Sequence, residues 1–146
     1  MKRTAEMVLG IIGIITSGIL LFFGGSFIWA NKSEEFKMLM TEELAANPAA
    51  QLTSDELSLV MEGLASYGWA LVIASLIGML LGLIGVIRIK GNKNPKLAGW
   101  MFIAAGVSIG VISVGFGFLP AILYLIAGIM SLVRKPPPDA PDSGIE

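Results

Sequence analysis

Four apolar stretches without a charged side chain restrict this sequence to the membrane proteins. They run over 7–30, 66–87, 97–114 and 119–133 and contain no Asp, Glu, Lys or Arg. A helix over the first stretch, at about 1.5 Å of rise per residue, is long enough to cross a hydrocarbon core of about 30 Å with some tilt. Charged residues make up only 14% of the 146 residues, against about 25% in soluble domains. The sequence therefore predicts four transmembrane helices, of which the last two are short.

A cleaved signal peptide is the competing interpretation of the first stretch, because Lys2 and Arg3 precede it. Two features favour a retained anchor. The stretch is longer than the apolar core of a usual signal peptide, and the segment 27–30 lacks the small residue that a cleavage site needs three positions before the cut.

The basic residues predict the orientation of the four helices. Cytoplasmic loops are rich in Lys and Arg, and the chain has one basic loop after the second span and a basic pair after the fourth. Both termini are therefore predicted to be cytoplasmic. The same side chains are candidate contacts for anionic lipid head groups, at about 1 kcal/mol per charge, although most such charges only set topology. They are Arg88, Lys90, Lys93, Lys96, Arg134 and Lys135.

The segment 31–65 is acidic and is predicted to lie outside as a helical cap. It holds seven acidic residues against Lys32 and Lys37. Ser33 can cap a first helix that ends near Asn47, and Thr53 with Glu56 forms a capping-box pattern for a second helix that continues into the second span. The apolar stripes of these helices form either a solvated amphipathic cap or a surface for a partner. The candidate partner residues are Phe36, Leu39, Met40, Leu57 and Met61.

Small residues recur at helical spacing in every span. Helices in a membrane associate through close van der Waals packing, which small side chains permit. We therefore predict that these residues pack the helices of one bundle, or alternatively a second subunit. The candidate packing residues are Gly10, Gly13, Ser17, Gly78, Gly82, Gly106, Gly110 and Gly128.

Residues that usually carry chemistry are scarce. The chain contains no Cys and no His, which removes thiolate nucleophiles, imidazole catalysis and metal sites built on those side chains. We predict no catalytic, cofactor-binding or metal-ligating residue and no nucleic-acid partner. The Pro-rich segment 136–146 is predicted to be a flexible cytoplasmic tail.

Several motifs resemble one known family. They are Lys2-Arg3-Thr4-Ala5-Glu6, Val8-Leu9-Gly10-Ile11-Ile12-Gly13, Asn94-Pro95-Lys96-Leu97-Ala98-Gly99 and Leu119-Pro120-Ala121-Ile122-Leu123-Tyr124. In these the chain resembles the domain-of-unknown-function 4064 family, small four-span membrane proteins of Gram-positive bacteria. The resemblance implies a bacterial cell membrane and four helices, and it implies no activity.

Taken together, the sequence predicts an all-α, integral membrane four-helix bundle with an extracytoplasmic helical cap between its first two spans. The domain covers 1–135. The favoured function is a non-enzymatic accessory, structural or regulatory subunit of an envelope complex, whose partners are membrane lipids and a membrane protein or a second copy. The alternatives are a homo-oligomeric channel or small-solute transporter, and an immunity or envelope-stress protection protein. A pore would have to use the few polar side chains of the spans, namely Thr16, Ser17, Ser75, Ser108, Ser113 and Tyr124.

Overall fold

The chain is all-α over the residues that the structure describes. A computed structural model describes residues 3–47, 49, 52–90, 94–114 and 116–134, and within these it has five helices and no strand. The predicted tail over 136–146, together with Lys93 and Lys135, lies outside the described residues. The helices are α1 (Thr4–Lys32), α2 (Glu34–Ala46), α3 (Ser54–Ile89), α4 (Pro95–Ile112) and α5 (Phe118–Val133).

Local capping explains where the helices of the acidic segment begin. The hydroxyl of Ser33 accepts a hydrogen bond from the backbone N–H of Phe36, which caps α2. At the start of α3 the Thr53 side chain accepts from the N–H of Glu56, and the Glu56 carboxylate accepts from the N–H of Thr53. Both predicted caps are confirmed. Because α3 continues without a break from Ser54 to Ile89, its first turns extend well ahead of the apolar stretch 66–87.

Four of the five helices pack as antiparallel neighbours in a closed order. Helix α1 lies against α3 and α5, and α4 lies against the same two helices. Gly10 near the start of α1 faces Val86 near the end of α3, and Gly99 near the start of α4 faces Gly128 near the end of α5, so these neighbours are antiparallel. The start of α1 and the end of α5 meet at one end of the molecule, where the Arg3 guanidinium donates a hydrogen bond to the carbonyl of Ser131.

Large side chains fill the space between these helices. Leu71 of α3, Phe102 and Ile109 of α4 and Tyr124 of α5 are fully buried. The rings of Phe102 and Tyr124 stack with their centroids 6.1 Å apart. The hydroxyl oxygens of Ser17 and Tyr124 lie 3.4 Å apart in a hydrogen bond between the two side chains. The centre of the described helices is therefore a packed core with one polar pair.

The outer surface of these helices is apolar, as a membrane requires. Helices α1, α3 and α4 are each long and apolar enough to cross a bilayer, and α5 is a shorter apolar helix of 16 residues. Large hydrophobic side chains such as Phe22, Leu80, Val111 and Ile129 are exposed. Such a surface is unfavourable in water and favourable against lipid tails. Three to four helices are thus compatible with a multi-pass membrane protein.

A tight turn between α4 and α5 holds an unusual backbone conformation. Val114 has a φ of 47°, in the left-handed region where a β-branched side chain is strained. The turn is held by hydrogen bonds that converge on Ser113. Its hydroxyl accepts from the backbone N–H of Gly117 at 2.9 Å, and its carbonyl accepts from the hydroxyl of Tyr67 on α3.

Replacing Val114 by Gly should stabilise the protein. The substitution removes the clash that a left-handed residue with a β-carbon suffers, a gain of about 1 kcal/mol, and the Val114 side chain is 80% exposed, so little packing is lost. Thermal unfolding in detergent should show a higher melting temperature than the parent. A lower melting temperature would mean that the valine side chain stabilises the turn by more than the backbone strain costs.

Candidate functional site

A groove lies between α2 and the first turns of α3 in the part of the chain that the structure describes. Its volume is about 1020 Å³, at the upper end of the range that small-molecule pockets occupy. Apolar and polar side chains alternate along both walls, with Lys37 and Glu62 as the charged members. The residues lining it are Asn31, Lys37, Met40, Thr41, Leu44, Ala45, Asn47, Leu52, Ser54, Leu57, Ser58, Met61, Glu62, Ala65, Ser66 and Trp69.

The groove exists because α2 stands away from α3. Helix α2 has no buried residue, and its contacts with the rest of the protein are mainly with α1. The base of the groove is fixed by the Asn31 amide at the end of α1, which donates a hydrogen bond of 2.6 Å to the carbonyl of Met61 on α3. Helix α2 therefore presents an uncovered side to α3, with a gap between them.

The structure separates the five predicted partner residues into three groups. Met40 and Leu57 line the groove from opposite walls. Phe36 and Leu39 do not line it, and Leu39 is exposed elsewhere on α2. Met61 is only 5% exposed. Met61 also lines the groove at its base, where little of its side chain is open to a partner.

The capping box at the start of α3 also changes the pKa of the Glu56 carboxyl. Hydrogen bonds from the Thr53 backbone and side chain lower the pKa of the Glu56 carboxyl below its ordinary value. These bonds favour the ionised form, so the contribution of Glu56 to folding is present above the pKa of the unfolded chain. It is lost as the pH falls through the lower pKa of the folded chain.

Acid should therefore loosen the α3 wall of the groove before the apolar core responds. Amide hydrogen exchange in the first turn of α3, corrected for its intrinsic pH dependence, is expected to lose protection as the pH falls below the ordinary range of a Glu carboxyl. A Thr53→Ala variant should show the unprotected behaviour already at neutral pH, because it lacks the cap. Identical exchange in parent and variant at neutral pH would contradict this role.

The opposite end of the molecule contains a buried charge cluster. The guanidinium of Arg3 donates hydrogen bonds of 3.1 Å to the carbonyls of Ser131 and Arg134 at the end of α5. The hydroxyl of Ser131 donates to the carbonyl of Pro95 at the start of α4, at 2.8 Å. These bonds tie the two ends of the described chain together.

Glu6 lies within this cluster and is fully buried. Its Oε1 is 3.6 Å from Nη1 of Arg134, and neither carboxylate oxygen accepts a hydrogen bond from the residues that the structure describes. The burial follows from the packing of α1 on α5, which no local pattern reports.

Four of the six predicted lipid-contact residues lie within the described residues, at this same end. Arg88, Lys90 and Lys96 are exposed near the α3–α4 connection, and Arg134 is exposed after α5. Arg134 also has the internal role described above, since its guanidinium faces Glu6. The four described basic residues therefore surround one end of the helices.

Most of the predicted packing residues lie at close approaches between helices. A β-carbon at Gly10 would be 2.7 Å from Phe102, one at Gly13 would be 2.7 Å from Tyr124, and one at Gly82 would be 2.5 Å from the Tyr124 hydroxyl oxygen. A β-carbon at Gly106 would be 2.8 Å from the backbone oxygen of Ala121, and one at Gly128 would be 2.9 Å from the backbone oxygen of Gly99.

The remaining predicted packing positions differ from one another. Gly78 faces Ile109, and the buried Ser17 donates a hydrogen bond of 2.8 Å to the carbonyl of Gly13. At Gly110 a β-carbon would meet only the β-carbon of Ala121, at an ordinary 3.6 Å. The prediction of a close approach at Gly110 needs correction, because the neighbouring helix leaves room there.

Comparison with known proteins gives a family and no activity. The model of a family described as protein of unknown function (DUF4064) matches residues 2–113. No curated protein matches, and no solved structure matches. Among the described residues there is no group of three or more His, Cys, Asp or Glu that could hold a metal ion.

Proposed function

Because this chain belongs to the DUF4064 family, whose function is unknown, its role must be argued from its own residues, and we propose a non-enzymatic accessory subunit. The protein stabilises or regulates a larger complex in the bacterial cell envelope. In this proposal α1, α3, α4 and α5 form a transmembrane four-helix bundle with both termini in the cytoplasm, and α2 with the start of α3 forms an extracytoplasmic cap.

The observation that carries this proposal is the open groove between α2 and α3. A helix that buries none of its residues contributes little to the stability of its own chain, since helical stability in proteins comes mainly from packing. The groove that it forms is lined by Met40, Leu44 and Leu57. Apolar side chains in a concave site favour binding of a partner.

The packed interior supports this function over that of a channel. A conducting path inside one chain would need to pass Leu71, Phe102 and Tyr124, which are fully buried. A pore between copies that used the predicted packing residues would need them on a free face, yet Gly10, Gly13 and Gly82 face helices of the same chain. The immunity and stress-protection hypotheses remain predictions from the sequence.

The test is native mass spectrometry of the tagged chain, extracted with surrounding lipid from its own membrane. We expect a defined foreign protein in a fixed ratio to this chain. A closed homo-oligomer without any foreign protein would overturn the accessory-subunit proposal and favour a channel or transporter.

A further inference from the structure

The groove between α2 and α3 has the length and shape of a binding site for one helix. Along α3 it extends from Ser54 to Trp69, which is about 22 Å at the rise of an α-helix, or roughly four turns. Its walls are themselves two helices, so their side chains form ridges on both sides of the groove. An amphipathic helix laid in such a groove buries its apolar face between the ridges.

We infer that this groove binds a basic amphipathic helix of the partner protein, close to the point where that partner enters the membrane. The inference rests on the proposed accessory function, because it names the part of the partner that the subunit recognises. Three features determine the chemistry of the bound helix: the stripes of the groove, the charge of the segment around it and the position of the groove.

The stripes of the groove fit an amphipathic helix better than a lipid chain. On the α3 wall an apolar ridge lies beside a polar ridge, and both have helical spacing. An acyl chain could contact only the apolar ridge, whereas a helix offers polar side chains to the second. The apolar ridge is Leu57, Met61, Ala65 and Trp69, and the polar ridge is Ser54, Ser58, Glu62 and Ser66.

Methionine adds to the apolar surface of the α2 wall. Met40 of α2 lines the groove, whereas Met61 of α3 contributes little because it is only 5% exposed. The unbranched, polarisable side chain of methionine adapts to different apolar partners and is common on surfaces that bind helices.

The charge of the surrounding segment selects a basic helix. The segment 31–65 holds seven acidic residues and two lysines, and one of the lysines, Lys37, pairs with Glu34 at 3.3 Å. Electrostatic complementarity then favours Lys and Arg on the flanks of the bound helix and disfavours an acidic one.

The position of the groove places the bound helix next to the bilayer. The end of the groove nearer the apolar stretch 66–87 reaches Trp69. Trp69 is 54% exposed and lies near the start of that stretch. Exposed tryptophan is typical of the membrane–water interface. A helix that fills the groove therefore ends where a transmembrane segment of the partner begins.

The experiment uses a synthetic Leu/Lys amphipathic peptide of about four helical turns and the full chain in nanodiscs of zwitterionic lipid. With Trp29 and Trp100 replaced by Phe, Trp69 is the only tryptophan of the chain and reports on the groove by its fluorescence. We expect saturable binding with a shift of Trp69 emission to shorter wavelength. Empty nanodiscs with the same peptide measure binding to lipid alone.

Matched variants distinguish the groove from the surface around it. Leu57→Asp lies in the groove and should weaken binding at least tenfold, whereas Leu59→Asp adds the same charge at an exposed site of α3 outside it and should change binding less than twofold. Met40→Asp on the opposite wall repeats the test should Leu57→Asp fail to fold. A peptide with Glu in place of Lys should bind at least tenfold more weakly.

Equal affinity of the Leu57→Asp and Leu59→Asp chains, or of the Lys and Glu peptides, would overturn the inference. Quenching of Trp69 by brominated lipid tails that the Lys peptide does not relieve would overturn it as well, in favour of a lipid ligand. The two proposals fail separately. A foreign protein that is retained by the Leu57→Asp chain in native extracts contradicts the groove alone, whereas the absence of any foreign protein with the parent chain contradicts the accessory function.

Discussion

Replacing Gly24 by Leu should lower the melting temperature in detergent by roughly 10 °C, from a loss of about 3 kcal/mol in the free energy of unfolding. A β-carbon at Gly24 would lie 2.9 Å from the backbone oxygen of Gly68 on α3, and one at Gly68 would lie 2.8 Å from the oxygen of Gly24. Backbone atoms cannot rotate away from an added side chain, so α1 and α3 must move apart along their whole contact.

The adjacent Gly25 provides the control in the same helix. It has open space around the position of a β-carbon, and Leu is a better helix former than Gly by about 0.8 kcal/mol. The Gly25→Leu variant should therefore melt at the parent temperature or above it. Equal destabilisation by the two substitutions would contradict the close approach of α1 and α3. Gly82→Leu and Gly110→Leu form a second pair, of which only the first should be strongly destabilising.

Replacing Arg134 by Ala should destabilise the protein by leaving Glu6 without its nearest described cation. Breaking a fully buried ion pair costs about 3–5 kcal/mol, and because the Arg134 side chain is 47% exposed we expect a smaller loss, about 2 kcal/mol. Thermal unfolding at neutral pH in detergent measures it. Lys96→Ala, which removes an exposed charge at the same end of the molecule, is the matched control and should have little effect.

A double variant identifies the cause of the loss of stability in Arg134→Ala. Glu6→Gln removes the buried negative charge and keeps the size of the side chain, so adding it to Arg134→Ala should restore most of the lost stability. Equal losses in Arg134→Ala and in the double variant would show that Arg134 acts by packing rather than by neutralising Glu6.

Local patterns were sufficient to predict the helices and their caps. Ser33 and the Thr53–Glu56 pair cap α2 and α3 as their spacing indicates, because capping depends on residues within one turn. The resemblance to the DUF4064 family is confirmed by a match over residues 2–113. The apolar stretches likewise correspond to helices that are long enough, or in α5 almost long enough, to cross a bilayer.

Features that depend on distant contacts could not be predicted in the same way. Gly106 and Gly110 look alike in sequence, yet only Gly106 faces a close backbone oxygen. Glu6 lies 128 positions before Arg134 and becomes its neighbour only through the packing of α1 on α5. The apolar stripes of α2 and α3 were recognisable, but the gap between them depends on the direction in which α2 leaves α1.

The most direct test of the account is the side of the membrane on which the groove lies. The chain has no Cys, so Ala46→Cys at the end of α2 and Asn94→Cys before α4 each introduce a single thiol. On intact cells an impermeant thiol reagent should label Ala46→Cys, and it should label Asn94→Cys only after permeabilisation. The reverse pattern would place the groove in the cytoplasm and contradict both the topology and the proposed recognition of an envelope partner.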